Sequence, residues 1–275
     1  METTQNAQTY WFVFCQDQLL LHKDSNGGLQ VPLQQQPPVA VNEWTHIHEL
    51  ALFDGVPFKA FALEQPVAED DHQLMMGLRR SFDYLPHDLY LMAGKAHEII
   101  FWDRNNRFCP VCGTPMNFHT SISKLCPNCG KEIWPVVSTA IIVLIHRGEE
   151  ILLVHARNFR GDYYGLVAGF VETGETLEEC VQREVFEETG LRVKNIRYFG
   201  SQPWPYPCGL MVGFTADYQS GDIRLQASEL SAGKFFARDN LPEIPGKMSM
   251  ARMLIDDWLE NGYCTESVDE HAPLS

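Results

Sequence analysis

Positive charge is scarce in this chain. Lys and Arg number 21 against 36 Asp and Glu, a formal net charge of −15. That balance disfavours non-specific binding to nucleic acid or to an anionic membrane. It leaves room for a small phosphate ester whose charge is met locally by metal. Long apolar runs are missing too: the longest, Ala140 to Ile145, is far short of a membrane span. METTQNAQTY has no basic region and is followed by no adequate apolar run. The expectation is a cytoplasmic protein with no membrane partner. A secreted disulfide framework is also absent, because four of the eight cysteines form paired knuckles and four are scattered. At 275 residues the chain has length for two domains with cores of their own.

What is present is concentrated in GFVETGETLEECVQREVFEETGL, Gly169 to Leu191. Gly169 and Gly174 break the first half into a loop. The second half reads as a helix, with capping-box spacing between Thr176 and Glu179 and a stop at Gly190. At about 100° per residue, Leu177, Val181, Glu184 and Glu188 fall within roughly 60° of one another. An apolar stripe faces the protein body, so the two glutamates should point inward with it. Like charges held close in a partly buried site repel and lose hydration. A cation should sit there, and hard oxygen ligands suit Mg²⁺ or Mn²⁺. A solvated acidic face is the plain alternative, since glutamates are good helix formers.

Cys109-Pro-Val-Cys112-Gly and Cys126-Pro-Asn-Cys129-Gly form two knuckles. Together they predict a closed Cys₄ site for one structural Zn²⁺ per chain, the alternative being four free core cysteines. Lys124 and His119 alone make too small a basic patch for nucleic acid.

Residues 1–105 read as an α+β N-terminal domain. Strands are expected at Trp11–Phe14 and Leu50–Leu63, the latter broken by an Asp54-Gly55 turn, with loop from Gln30 to Pro38. Helices are expected at Asp71–Asp83 and His87–His97. His46 and His48 read as a surface pair without metal. Residues 106–135 form the zinc ribbon and 136–262 the domain around the acidic helix. In the latter, strands are expected at Ser138–Ile145, Ile151–His155, Asn195–Gly200, Leu210–Tyr218 and Lys234–Ala237. A closing helix is expected at Met250–Glu260, between Ser249 and Gly262. Residues 263–275 read as a mobile tail.

Ser201-Gln-Pro-Trp-Pro-Tyr-Pro207 alternates three prolines, which fix φ and keep the preceding residues extended. The ribbon should stay out of a central sheet ladder. It would display Gln202, Trp204 and Tyr206 to a flat heteroaromatic ring, or else fill core as a rigid loop.

The Gly169–Leu191 stretch matches the Nudix hydrolase signature G-x5-E-x7-R-E-U-x-E-E-x-G-U, U being bulky and apolar. With the Cys₄ ribbon and SQPWPYP, the chain resembles the NADH pyrophosphatase branch of that family over about residues 71–260. Tyr206 replaces the branch's phenylalanine, and Gly209 stands where serine is frequent. The resemblance implies an α/β fold, a Nudix α/β/α sandwich with a mixed sheet. It implies cleavage of the NAD(H) pyrophosphate to a nicotinamide mononucleotide and AMP. Related possibilities are removal of an NAD cap from RNA 5′ ends and hydrolysis of another nucleoside diphosphate derivative such as ADP-ribose. A homodimer is implied.

Residue by residue, the resemblance makes Glu184, Glu187, Glu188 and Glu229, with the Ala168 carbonyl, the holders of Mg²⁺ or Mn²⁺. Glu188 would activate water, and Glu175 and Arg183 would brace the loop against the helix. Arg79, Trp134, Phe170, Gln202, Pro203, Trp204, Pro205, Tyr206, Pro207, Cys208, Gly209 and Ala251 would meet the substrate, Arg79 across a dimer. Cys109, Cys112, Cys126 and Cys129 would hold the zinc.

Overall fold

The computed structural model describes residues 8–53, 55–159 and 161–262. Asp54, half of the expected turn, and the expected tail from residue 263 lie outside the described residues. The chain forms two compact units. Among the described residues, one holds those up to Val137 together with Pro203–Gly209, and the other holds Ser138–Gln202 and those from Leu210 to Gly262.

In the first unit, strands β1 (Thr9–Cys15), β2 (Gln18–Lys23), β3 (Leu29–Gln30), β4 (Leu33–Gln34), β5 (His48–Phe53), β6 (Val56–Ala62) and β7 (Gln73–Gly77) form one sheet. It is mixed: β1 runs parallel to β6 and antiparallel to β2. Helices α1 (Leu78–Ser81) and α2 (His87–Asn105) follow. A three-stranded ribbon of β8 (Asn117–Thr120), β9 (Ser123–Leu125) and β10 (Glu132–Ile133) completes the unit.

Three expectations change here. Gln73–Gly77 is a strand, and only Leu78–Ser81 of the expected Asp71–Asp83 helix is helical. The unpaired side of β2 takes Gln73 to Gly77 as a ladder from His22 to Gln18, and Met75 packs on the core of β1. Sheet pairing outweighs the helical preference of Leu and Met. The Gln30–Pro38 loop contains the two short strands β3 and β4. His48 is buried rather than on the surface, with Nε2 3.2 Å from Asp103 on α2. His46 lies flat on Phe118, ring centroids 4.0 Å apart. Lys124 is buried as well, with Nζ 2.5 Å from the Asp103 carboxylate and bonded to the carbonyls of Asp103 and Asn106. That lysine ties the ribbon to the end of α2, and its charge is spent internally.

The second unit is built on β11 (Ser138–Arg147), β12 (Glu150–Ala156), β13 (Val167–Phe170), α3 (Leu177–Thr189), β14 (Arg192–Trp204), β15 (Gly209–Ser220), β16 (Leu230–Ala237) and α4 (Met250–Asn261). Strand order is β14-β15-β11-β12-β16, with β13 on β11. β11 alternates. Ile141, Val143 and Ile145 pack with Cys180, Val181 and Val185 of α3. Ile142 and Leu144 pack with Leu254, Ile255 and Trp258 of α4. Each such side chain stabilises by about 1.5–3 kcal/mol when fully buried. A helix on each face makes the α/β/α sandwich. The ribbon residues Gln202 to Trp204 end β14, which lies at the sheet edge, where proline is tolerated. Among the described residues no helix is long and apolar enough to cross a membrane.

Candidate active site and metal centres

Helix α3 starts where its sequence says. The Thr176 side chain accepts from the Glu179 N–H, and the Glu179 carboxylate accepts from the Thr176 N–H. It stops at Gly190, whose φ of +74° suits glycine. No basic residue lies in the last turn. Glu187 and Glu188 therefore oppose the negative end of the helix dipole, a loss of stability that packing does not require.

Arg183 organises the loop before the helix. Its Nη2 and Nε reach the two oxygens of Glu175 at 2.6 and 3.0 Å. Nη2 also donates to the Phe170 carbonyl, and Nη1 to Glu184 at 2.8 Å and Glu187 at 3.2 Å. The Arg183 guanidinium holds the Glu175 carboxyl down to about 2. Glu175 in turn accepts the Glu172 N–H. The buried Cys180 thiol beneath is pushed up to about 12, first by burial and then by Glu175, so it stays protonated.

Glu184 and Glu188 face inward as the stripe predicts. Glu188 is only 5 % exposed. Burial, then the charges of Glu184 and Glu229, raise its carboxyl to about 8. Burial also raises Glu184, against the pull of Arg183. The Glu229 carboxyl faces that of Glu188 and adds to the rise. A cavity of about 390 Å³ is lined by Ala168, Glu188 and Glu229, with Arg157, Asn158 and Phe159 beside them. These last three went unread in the sequence because they lie in an irregular segment after β12, without spacing or periodicity. Glu187 is half-exposed at the rim of α3. The set consists of hard oxygens crowded by like charge, which favours the protonated form of Glu188. That chemistry fits Mg²⁺ or Mn²⁺, the ions Nudix enzymes use.

Two results are expected from this geometry. A Cβ at Gly169 would overlap the Glu184 carboxyl. Gly169→Ala should therefore displace Glu184 and lower kcat by about tenfold or more, read by steady-state kinetics with circular dichroism as the folding control. The second concerns pH. The Glu188 pKa is raised on folding, so its contribution to the metal-free protein is fullest below about 4.5 and is lost as pH rises through about 8. A divalent ion bound by these carboxylates would compete with that proton. The Tm gain on adding Mg²⁺ should grow from pH 5 to about pH 8, and a flat gain would contradict the raised pKa.

The four knuckle sulfurs lie within 4.8 Å of one another. Three S···S distances are 3.5–3.6 Å, near the roughly 3.8 Å edge of a tetrahedron with 2.3 Å Zn–S bonds. The knuckles repeat one another: Gly113 N–H bonds Cys109 O and Gly130 N–H bonds Cys126 O, each glycine at φ +73°. The Val111 N–H points at the Cys109 sulfur. The site is closed by four protein ligands and fits structural Zn²⁺.

The remaining substrate candidates divide between the units. In the first, the Arg79 guanidinium lies over Trp204 at 5.0 Å and Tyr206 at 4.6 Å, within one chain. Trp134, also there, exposes its ring. In the second, Phe170 exposes its ring and Ala251 is buried in the α4 core. Gln202 is buried, with Nε2 donating to the Met248 carbonyl at 2.7 Å and Oε1 without a donor among the described residues. A buried amide oxygen without a donor is costly and suits a ligand N–H or O–H.

Known proteins match along most of the chain. The NUDIX domain family matches residues 135–256, the NADH pyrophosphatase-like rudimentary NUDIX domain 8–102, and the NADH pyrophosphatase zinc ribbon domain 104–133. The NAD-capped RNA hydrolase NudC of Pseudomonas aeruginosa (strain LESB58) is 40% identical over 227 residues, 79% of this chain and 81% of that protein. The protein of the same name from Stutzerimonas stutzeri (strain A1501) is 40% identical over 211 residues, 76% of each chain. That from Haemophilus influenzae (strain PittEE) is 44% identical over 197 residues, 70% of this chain and 74% of that one. The acidic helix, the cysteine cluster and these relatives agree: the chain belongs to the Nudix hydrolase family, in its zinc-ribbon-bearing NADH pyrophosphatase branch.

Proposed function

We propose that the chain hydrolyses the diphosphate bond of NAD(H), giving a nicotinamide mononucleotide and AMP. The observation that carries this is the inward carboxyl set of Glu184, Glu188 and Glu229, crowded enough to lift Glu188 to about 8. Divalent ions held there, with Glu187 and the Ala168 carbonyl as further ligands, would supply positive charge to the diphosphate and make an attacking water more acidic. Glu188 accepts the proton of that water. Arg183, gripped by Glu175, fixes the carboxylates of Glu184 and Glu187. Trp134 and Phe170 each offer an exposed ring face to a base. Gln202 supplies its unmet amide oxygen. Arg79, the residues from Pro203 to Gly209 and Ala251 are the remaining dinucleotide contacts of this reading.

Removal of an NAD cap from RNA 5′ ends is the second reading, favoured by the name shared by relatives of about 40% identity. It breaks the same bond. In this reading the chain works as a cytoplasmic homodimer, divided into an N-terminal domain (1–105), a ribbon (106–135) and a catalytic domain (136–262).

A panel of NADH, NAD⁺, NAD-capped RNA and ADP-ribose with Mg²⁺ or Mn²⁺, resolved by nucleotide chromatography, tests both. AMP released from NADH supports the first reading. Cleavage of capped RNA with a much higher kcat/KM supports the second. Preference for ADP-ribose would overturn both.

A further inference from the structure

The segment Pro203–Gly209 rests on one face of α2. The Tyr206 hydroxyl is 2.5 Å from that of Tyr90. A Cβ on Gly94 would come within 2.9 Å of Pro205 Cγ, so the proline ring fills the place of a missing side chain. His97 is buried, and burial holds its imidazole below the usual range. The ring faces the main-chain carbonyls of Pro205 and Pro207, and that of Gln16. Burial pushes the Glu98 carboxyl up to about 7, while the Gly209 N–H that faces it pulls the other way. Residues 90, 94, 97 and 98 stand at i, i+4, i+7 and i+8, a single helical stripe.

Each contact meets a different part of the segment. Tyr90 meets the phenol, Gly94 the Pro205 ring, His97 faces the proline carbonyls, and Glu98 faces the closing glycine. The prolines make the segment stiff, but stiffness alone does not decide where it points. Tyr206 carries the hydroxyl that the branch's phenylalanine lacks, and here that hydroxyl is spent on Tyr90. The Tyr206 ring is thereby turned under Arg79, which also covers Trp204. A half-buried carboxyl is an expensive way to hold one N–H unless the position of that N–H matters.

We propose that Tyr90, Gly94 and Glu98 are positioning residues that hold the Trp204–Gly209 array in its substrate-ready form without touching substrate. The proposal rests on the NAD(H) reading above for its kinetic consequence, but not for its structural one. Preorganisation lowers the ordering cost of binding, so loss of a positioning contact should appear in KM and not in the chemical step.

The test measures NADH kinetics with saturating Mg²⁺, Tm, and amide hydrogen exchange at Gly209. Variants are Tyr90→Phe, Gly94→Val, Glu98→Ala, Glu98→Gln, Tyr206→Phe and the Tyr90→Phe/Tyr206→Phe double. Tyr90→Phe and Glu98→Ala should raise KM about fivefold or more, with kcat within about twofold and Tm little changed. Glu98→Gln keeps an acceptor oxygen and should recover most of the loss. The double should be no worse than the worse single, because the two hydroxyls serve each other. Gly209 exchange should quicken about tenfold in Glu98→Ala, whatever the substrate. Unchanged KM and unchanged exchange would overturn the proposal, as would a fall in kcat and Tm together. Wild-type protein that leaves NADH intact would sink the function reading alone, and the exchange experiment would still decide this one. Should Gly94→Val fail to fold, the Tyr90 and Glu98 variants decide the outcome.

Discussion

Glu188→Gln is expected to lower kcat on NADH by a hundredfold or more, about 3 kcal/mol of transition-state stabilisation. The side chain is nearly isosteric, so packing around Val185 and Val181 should survive. The amide can neither accept the proton of an attacking water nor bind a cation as a carboxylate does. Folding should even gain. Glu188 is a buried acid beside two other carboxyls, at the helix end whose dipole repels it. Removing that conflict should raise the metal-free Tm at neutral pH while erasing most of the Tm gain from Mg²⁺. Activity within about threefold of wild type would reject the role given to Glu188. A large loss of both activity and Tm would mean that the acid is structural.

Cys109→Ser is expected to strike stability first. The ribbon has three short strands and little apolar core, so the metal replaces the missing burial. Structural zinc sites are worth on the order of 10 kcal/mol in apparent binding free energy, and losing one thiolate forfeits much of it. Low soluble yield, a lower Tm and loss of bound zinc by elemental analysis should appear together. Lys124 spreads the damage, since it anchors the ribbon to the Asp103 end of α2. Zinc-free protein with unchanged Tm but no activity would assign the metal to catalysis instead.

These two centres were legible in the sequence because their information is local. Capping box, glycine stop and inward stripe all lie within residues 169–191, and each knuckle spans five residues. What was not legible depends on partners far along the chain. Gln73–Gly77 looks helical by composition and becomes a strand only because β2 offers a free side. His48 reads as a surface residue until Asp103, on α2, meets it. The Tyr90–Tyr206 pair joins residues 116 positions apart, so nothing near either tyrosine signals it. Arg157 lines the acidic cavity with no motif of its own.

The central claim is that the inward carboxyls exist to hold divalent ions that act on a diphosphate. The most direct measurement is AMP release from NADH by chelator-stripped protein titrated with Mn²⁺, set beside proton release in a parallel Mn²⁺ titration without NADH, since hydrolysis itself frees protons, in a weakly buffered solution near pH 7. The account predicts no AMP before Mn²⁺, then activity rising in step with proton release as the ion displaces the proton held at Glu188. AMP formation by the stripped protein, or activity restored without any proton released, would contradict it.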